Sequence, residues 1–278
     1  MRWPSASSLC TATEARSDRS SATPAPSPDH GREETPIARV LITGSTDGVG
    51  RATAAALLED GHHVVVHARN LQRLSTADDL ITRGATGVVG NLADHAQVLG
   101  LAEQVHRIGR FDAVIHNAGV LAGPELVPVN VFAPYVLTAR IPTARLIYLS
   151  SSMHRGGRTD LSHLGDTGAG FSYSDSKLAV TAFMAAVARR WPDVLAHAVD
   201  PGWVPTKMGG PSASDDLSLA HVTQTWLATS QEADALVSGR YWHHQRIEQP
   251  HPAVDDEPFQ DRLLAAFAKR TRIELPYI

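Results

Sequence analysis

The sequence predicts an α/β domain, and three observations carry that prediction. Ile37 to Thr43 is a short β-branched apolar run that ends in a glycine-rich turn, and a helical pattern follows from Ala52 to Leu58. Short apolar runs then keep alternating with amphipathic stretches as far as Val199. Asparagines and small residues collect just past the ends of those runs, the edge where open α/β sheets bind ligands.

Length and charge bound what such a domain does. The chain has 278 residues, enough for one large α/β domain or two small ones. A hydrophobic fraction of 43% supports a packed core, and a net charge of -4 gives no electrostatic reason to expect nucleic acid or an anionic membrane as partner. The single cysteine, Cys10, excludes an intramolecular disulfide and fits a reducing, cytoplasmic setting. No apolar run approaches the roughly 20 residues of a membrane span. Residues 1–36 are rich in Ser, Ala, Thr, Pro and Arg and poor in large apolar residues, so a disordered tail is expected there. That tail lacks the apolar core of a secretory signal, and Glu14, Asp18, Asp29, Glu33 and Glu34 argue against a transit peptide. The folded domain is expected over residues 37–245, and a C-terminal tail, 246–278, carries a short helix over Pro258 to Arg270.

The first half reads as a nucleotide site. The turn after the first strand is Thr43-Gly44-Ser45-Thr46-Asp47-Gly48-Val49-Gly50, and Gly61 closes the helix beyond it. Gly44 and Gly48 let the backbone turn tightly beside a pyrophosphate, Gly50 lets helix and strand pack closely, and the helix N-terminus offers free N–H groups. A second strand, His63 to His67, is followed by Arg69 and Asn70, where an adenosine ribose would lie. An arginine there suits a 2′-phosphate, whereas a carboxylate would suit a 2′-hydroxyl; a solvated loop arginine is the bland alternative. Thr86 to Gly90 is a third strand, ending at Asn91 and Leu92, and Asp94 to Arg107 reads as a helix. Phe111 to His116 is a fourth, ending in Asn117-Ala118-Gly119, small enough to admit a cofactor ring. Of four asparagines, Asn91, Asn117 and Asn130 fall at or beyond strand ends or in the helix that follows.

The second half reads as the chemistry. Leu146 to Leu149 ends in Ser150-Ser151-Ser152, which is either turn chemistry or a hydroxyl for a substrate carbonyl. A glycine-rich loop from Met153 to Phe171 precedes Tyr173-Ser174-Asp175-Ser176-Lys177. A tyrosine and a lysine four apart share one helix face, and the helix runs on to Trp191, before Pro192. A nearby ammonium lowers a phenol's pKa, so the pair is expected to pass a proton to or from an alcohol or ketone. Spacing alone favours coincidence, but only three of 25 basic residues are lysines (Lys177, Lys207, Lys269), so a lysine here is less readily filler. A sixth strand, Val194 to Val199, leads into Asp200-Pro201-Gly202-Trp203-Val204-Pro205-Thr206. Ser214-Asp215-Asp216 predicts a helix start running to Thr229, and Gly239 to Trp242 a last edge strand. His62/His63, His243/His244 and His251 have no Cys or Glu at zinc spacing, so no metal is expected.

Taken together, these stretches resemble the short-chain dehydrogenase/reductase family from about Ile37 to Trp242. The resemblance rests on Thr43-Gly44-x3-Gly48-x-Gly50, Asn117-Ala118-Gly119, Asn130 within Val129-Asn130-Val131, Ser151, Tyr173-x3-Lys177 and Pro201-Gly202, in that order. It implies a single Rossmann-type domain, a doubly wound parallel sheet in three α/β/α layers. It implies Tyr173 as general acid/base, Lys177 lowering the tyrosine pKa and holding the nicotinamide ribose, Ser151 orienting a carbonyl, and Asn130 holding a relay water. The cofactor site would comprise Gly44, Ser45, Thr46, Asp47, Gly48, Val49, Gly50, Arg69, Asn70, Asn91, Leu92, Asn117, Ala118, Gly119, Tyr173, Lys177, Pro201, Gly202, Val204 and Thr206. Arg69 implies NADP(H) as preferred cofactor, with NAD(H) as the alternative. The implied partner is a small carbonyl or alcohol substrate, and the run through Thr206-Lys207-Met208 looks similar to bacterial ketoreductases of the anthracycline kind. Four departures stand out: Asn91 where the family commonly has Asp, His116 ahead of Asn117, a loop between Ser151 and Tyr173 longer than in many members, and a short stretch between Gly119 and Asn130. The last removes the front of a helix through which members often dimerise, so homodimer and monomer both stay open. The rivals are an epimerase or dehydratase of the extended branch and a nucleotide-sensing module without catalysis.

Overall fold

Strands that are apolar on both faces need cover on both sides, and the chain supplies it. The computed structural model describes residues 36–164 and 170–276. The expected disordered tail, Cys10, and the loop glycines Gly165 and Gly168 lie outside the described residues. In chain order the strands are β1 (Arg39–Ile42), β2 (His63–Ala68), β3 (Thr86–Val89), β4 (Phe111–His116), β5 (Thr143–Leu149), β6 (Leu195–Asp200), β7 (Arg240–His243) and β8 (Arg246–Glu248). They form one sheet in the order β3-β2-β1-β4-β5-β6-β7-β8. All neighbours are parallel except β7 and β8. The helices are α1 (Gly48–Glu59), α2 (Leu71–Leu74), α3 (Asp78–Thr82), α4 (His95–Ile108), α5 (Ala133–Arg140), α6 (Tyr173–Arg190), α7 (Val222–Thr229) and α8 (Glu257–Thr271).

Period-two alternation sorts the strand residues between two cores. Val40, Ile42, Val64, Val66, Ala113 and Ile115 pack with Leu57 of α1, Leu80 of α3 and Leu227 of α7. Their neighbours Leu41, Val65 and Val114 face the other way, toward Leu101 of α4, Tyr135 of α5, Phe183 of α6 and Phe267 of α8. The result is the doubly wound, three-layer α/β/α arrangement. β1 pairs with β2 on one side and β4 on the other. The winding reverses between β1 and β4, so their carboxyl ends open a crevice.

Three elements differ from the sequence reading. The helix expected from Ser214 begins only at Val222. Its supposed cap is spent locally: Asp215 accepts from Trp203 N at 2.7 Å and Asp216 from Ser218 N at 2.8 Å, so side chains replace the helical bonds. β7 is not the edge, because β8 pairs with it antiparallel. The turn between them, His244-Gln245, has positive φ at both residues (47° and 59°), a hairpin conformation normally announced by glycine or asparagine. The helix expected over Pro258 to Arg270 spans Glu257–Thr271 and is part of the core rather than a tail, with Phe259, Leu263 and Phe267 buried.

The core also holds neutral histidines. Burial pushes His67 and His197 down to about 4 and His116 down to about 3. An unfolded chain binds these protons near pH 6.5. The folded state therefore binds fewer protons between about pH 4 and 6.5, and this contribution is complete above 6.5 and lost as pH falls toward 4. The melting temperature is expected to fall steadily from pH 6.5 to 4.5. A flat profile over that window would contradict neutral buried imidazoles.

Candidate active site

The glycine turn is held in place by groups from three strands. Gly44 has φ 65° and Gly48 φ 52°, and a Cβ on Gly44 would sit 2.9 Å from Ala118 Cα, so only glycine fits there. Asn117 donates from Nδ2 to Thr43 O at 2.9 Å and to Gly44 O at 3.1 Å. A Cβ on Gly50 would overlap that same amide, which makes Gly50 a packing glycine, set against the end of β4. His67 Nδ1 accepts from Gly44 N at 3.0 Å, and its Nε2 then donates to Gly90 O at 2.8 Å, joining the ends of β1, β2 and β3. Ser45 is fully buried, donates to Ile42 O at 2.8 Å and accepts from His67 N at 2.9 Å. It builds the turn and does not line the crevice.

Asp47 caps α1 by accepting from Gly48 N at 2.9 Å. Its carboxyl is held below the usual range, first by the bond from Lys207 and also by Gly48 N and Arg73. Arg73 Nη2 lies 3.4 Å from Asp47 Oδ2 and 3.5 Å from Thr46 Oγ1. Arg69 is exposed at the same rim. Asn70 is not a crevice residue; it caps α2 by accepting from Arg73 N at 2.8 Å, which aims Arg73 toward the turn. Among the lining residues absent from the sequence-derived site are Arg73, Lys207, His67 and Glu125. The lysine bias had picked out Lys207 without giving it a role, and Arg73 carried no signal.

The opposite end of the crevice is built by α6. Its first turn is a capping box: Asp175 N donates to Ser172 Oγ at 3.1 Å, and Ser172 N donates to Asp175 Oδ2 at 2.8 Å. Burial opposes ionisation of Asp175, yet Arg158 and the backbone N–H groups of Ser172 and Arg158 hold its carboxyl at about 2. Asp175 thus ties the loop after β5 to α6, with Arg158 Nη2 2.7 Å from Oδ2. Ser176 Oγ donates to Tyr173 O at 2.7 Å and accepts from Asn130 Nδ2 at 3.0 Å. Asn130, in a π-helical turn over Pro128–Phe132, also accepts from Val120 N at 2.8 Å and donates to Val120 O at 2.9 Å. Both ends of its amide are engaged by protein, so its side chain braces the site.

Tyr173 and Lys177 face the same crevice as the glycine turn. Lys177 Nζ donates to Leu149 O at 2.7 Å and lies 5.4 Å from the centroid of the Tyr173 ring. The expected lowering of the phenol pKa is not what the structure gives. Burial and the charge of Asp200 push Tyr173 up to about 12, while the Ser151 hydroxyl bonded to it works in the other direction. Burial brings Lys177 down to about 8, so the ammonium is itself weakened where the tyrosine needs it. Ser150 lines the crevice but commits its hydroxyl to a 2.6 Å bond with Thr181, which leaves Ser151 as the serine bonded to the phenol. Asp200 closes this end: it accepts from Ser152 N at 2.6 Å, Gly202 N at 2.9 Å and Tyr241 OH at 3.2 Å.

The crevice has a cavity volume of about 550 Å³, within the range of small-molecule sites. Of the sequence-derived residues it brings together the glycine turn except Ser45, then Arg69, Asn91, Leu92, Asn117, Ala118, Gly119, Tyr173, Lys177, Pro201 and Thr206. Ser45, Asn70, Asn130, Ser151, Gly202 and Val204 do not line it, although Ser151 bonds to the Tyr173 hydroxyl that does. His116, the departure ahead of Asn117, is a core residue: it is buried, stacks on Tyr148 with centroids 4.8 Å apart, and its Nε2 is 3.2 Å from Thr138 Oγ1.

Comparison with known proteins agrees with this geometry. Residues 38–140 match the family model described as short chain dehydrogenase. An uncharacterized oxidoreductase of Emericella nidulans is 35% identical over 256 residues, covering 86% of this chain and 99% of that protein. A Streptomyces protein named for daunorubicin C-13 ketoreduction is 33% identical over 256 residues, covering 80% of this chain and 89% of its own length. Among solved structures, a Beutenbergia cavernae protein named for NAD(P)-dependent gluconate 5-dehydrogenase activity, with NADP bound at low occupancy, superposes with a TM-score of 0.62 at 23% identity, over 76% of this chain and 96% of that one. At that identity the likeness concerns the fold.

Proposed function

The chain belongs to the short-chain dehydrogenase/reductase family, and from that premise we propose that it moves hydride between NADP(H) and a small carbonyl compound or secondary alcohol. The observation that carries the proposal is one crevice with a glycine turn and helix N-terminus at one end and Tyr173 and Lys177 at the other, with Ser151 bonded to the phenol. The residues fit the cofactor. Free N–H groups at the start of α1 would take the pyrophosphate, Ala118 and Gly119 would admit the nicotinamide, and Arg69 and Arg73 would meet a 2′-phosphate. NADP(H), when bound, supplies or accepts the hydride.

The protein's own part is the proton. A phenol pushed up to about 12 stays protonated at neutral pH, so Tyr173 is set to donate to a carbonyl oxygen as it gains charge. Ser151 bonds the same oxygen and fixes its approach. Lys177 keeps a positive charge near the phenolate that results and offers a donor to the ribose. This arrangement favours carbonyl reduction over alcohol oxidation, and the Streptomyces ketoreductase likeness points the same way. NADPH consumption against a panel of ketones, aldehydes and quinones tests the proposal, with at least one ketone expected to support turnover. Faster alcohol oxidation than ketone reduction at pH 7 would overturn the direction.

Asp47 places a carboxylate where phosphates would bind, and Lys207 offsets it. Exposed ion pairs are worth roughly 0.2–1 kcal/mol, so Lys207→Ala is expected to weaken NADPH binding about two- to fivefold at low salt. Adding Asp47→Asn should restore the lost affinity. An unchanged dissociation constant in Lys207→Ala would show that the pair only closes the loop.

A further inference from the structure

On the far side of the loop that follows β6, Asp215, His243 and His244 converge from two separate parts of the chain. Each offers one ligand atom, and these atoms lie within 4.8 Å of one another. We infer that the three side chains form a binding site for a divalent transition-metal ion, Zn²⁺ by the chemistry of the donors, which ties the loop after β6 to the β7–β8 hairpin.

The donor set is two imidazoles and a carboxylate, one of the combinations that hold zinc while leaving a fourth position to water. His243 is prepared for it. Its Nδ1 lies 3.3 Å from Glu248 Oε1, so the carboxylate keeps the proton on that nitrogen and leaves the lone pair on Nε2. That Nε2 is buried and has no hydrogen-bond partner among the described residues. A buried polar atom in that state is rare, and a metal satisfies it.

The backbone around the site is unusual in the same direction. His244 and Gln245 both hold positive φ (47° and 59°), a region that residues other than glycine occupy at a cost. The strained turn sets the two imidazoles side by side, with centroids 4.2 Å apart, and Gln245 N donates to Thr223 Oγ1 at 3.0 Å to fix it. Asp215 is equally anchored, accepting from Trp203 N at 2.7 Å and from Ser214 Oγ at 3.0 Å. Each of its oxygens keeps a second lone pair. Zinc bonds of about 2.0–2.2 Å require donors somewhat closer than they stand. The sequence hides the site because its carboxylate stands far from the histidine pair along the chain. An ion held here would also steady the loop that carries Thr206 and Lys207 into the crevice.

The test uses untagged full-length protein stripped with EDTA and titrated with Co²⁺, then Zn²⁺. Wild type is expected to take one equivalent of Co²⁺, develop the strong visible absorption of four-coordinate cobalt, and lose it to Zn²⁺. His244→Asn keeps a residue that tolerates positive φ, and Asp215→Asn keeps an acceptor for Trp203 N. Each is expected to weaken Co²⁺ binding at least roughly tenfold, with the circular dichroism of the metal-free protein unchanged. Zn²⁺ at about 100 times its dissociation constant should raise the wild-type melting temperature by several degrees. Should one variant fail to fold, the other carries the test. No stoichiometric uptake by wild type overturns the assignment. So does uptake unchanged in the folded variants, which would place the metal on other histidines.

Discussion

Tyr173→Phe is expected to lower kcat/KM for any working carbonyl substrate by roughly 10²–10⁴-fold, the usual worth of a positioned general acid. The dissociation constant for NADPH should stay near wild type. The substitution removes one oxygen and leaves the ring that lines the crevice, so packing of α6 changes little. Its effect should fall on kcat, because the proton reaches the substrate oxygen only as the hydride transfers. The phenol stands at about 12 in the structure, so its loss from the wild type by ionisation should not limit the rate below pH 9. Turnover of Tyr173→Phe at the wild-type rate would remove Tyr173 from the proton step.

The second large effect is cofactor choice. The rim of the crevice near β2 presents Arg69 and Arg73 and no carboxylate beyond Asp47, which Arg73 and Lys207 already engage. A hydrogen bond to a charged group contributes roughly 1.5–3 kcal/mol, and each 1.4 kcal/mol is about tenfold, so NADPH should be preferred over NADH by about ten- to a hundredfold. Exposure and salt move the figure toward the lower end. Arg69→Ala and Arg73→Ala should each cut the preference while leaving NADH kinetics nearly unchanged. Arg73 is already aimed at the turn by the Asn70 cap, so its removal should cost at least as much as that of Arg69. Equal kcat/KM for the two cofactors in wild type, or a preference that survives both substitutions, would exclude these arginines from the 2′-phosphate position.

What could be read from the sequence divides along a physical line. The first four strands were legible, because each run is short and rich in Val or Ile, and the structure keeps β4 over Phe111–His116 as expected. The Tyr173–Lys177 pair was legible because helical spacing alone places them on one face. The electrostatic sign at Tyr173 was not, since it depends on how much water the fold removes and on Asp200, neither of which is local. Ser151 could be separated from Ser150 only by the side of β5 from which each departs, one toward Thr181 and one toward the phenol. Arg73 and Lys207 were invisible as site residues because tertiary contacts, not motifs, deliver them. The false helix start at Ser214 shows the ambiguity of Asp and Ser, which cap helices and loop turns by the same hydrogen bonds. β8 was missed because its hairpin turn uses histidine and glutamine where glycine would have marked it.

Hydride transfer within this crevice can be followed with an isotope. NADPH dideuterated at C4 is incubated with the full-length protein and a ketone from the panel, and the alcohol product is examined by mass spectrometry. One deuterium is expected at the carbinol carbon of every product molecule, with formation suppressed in Tyr173→Phe. NADPH that binds but is never consumed by any carbonyl would make the chain a nucleotide-sensing module. Consumption without label in the product would equally contradict direct transfer.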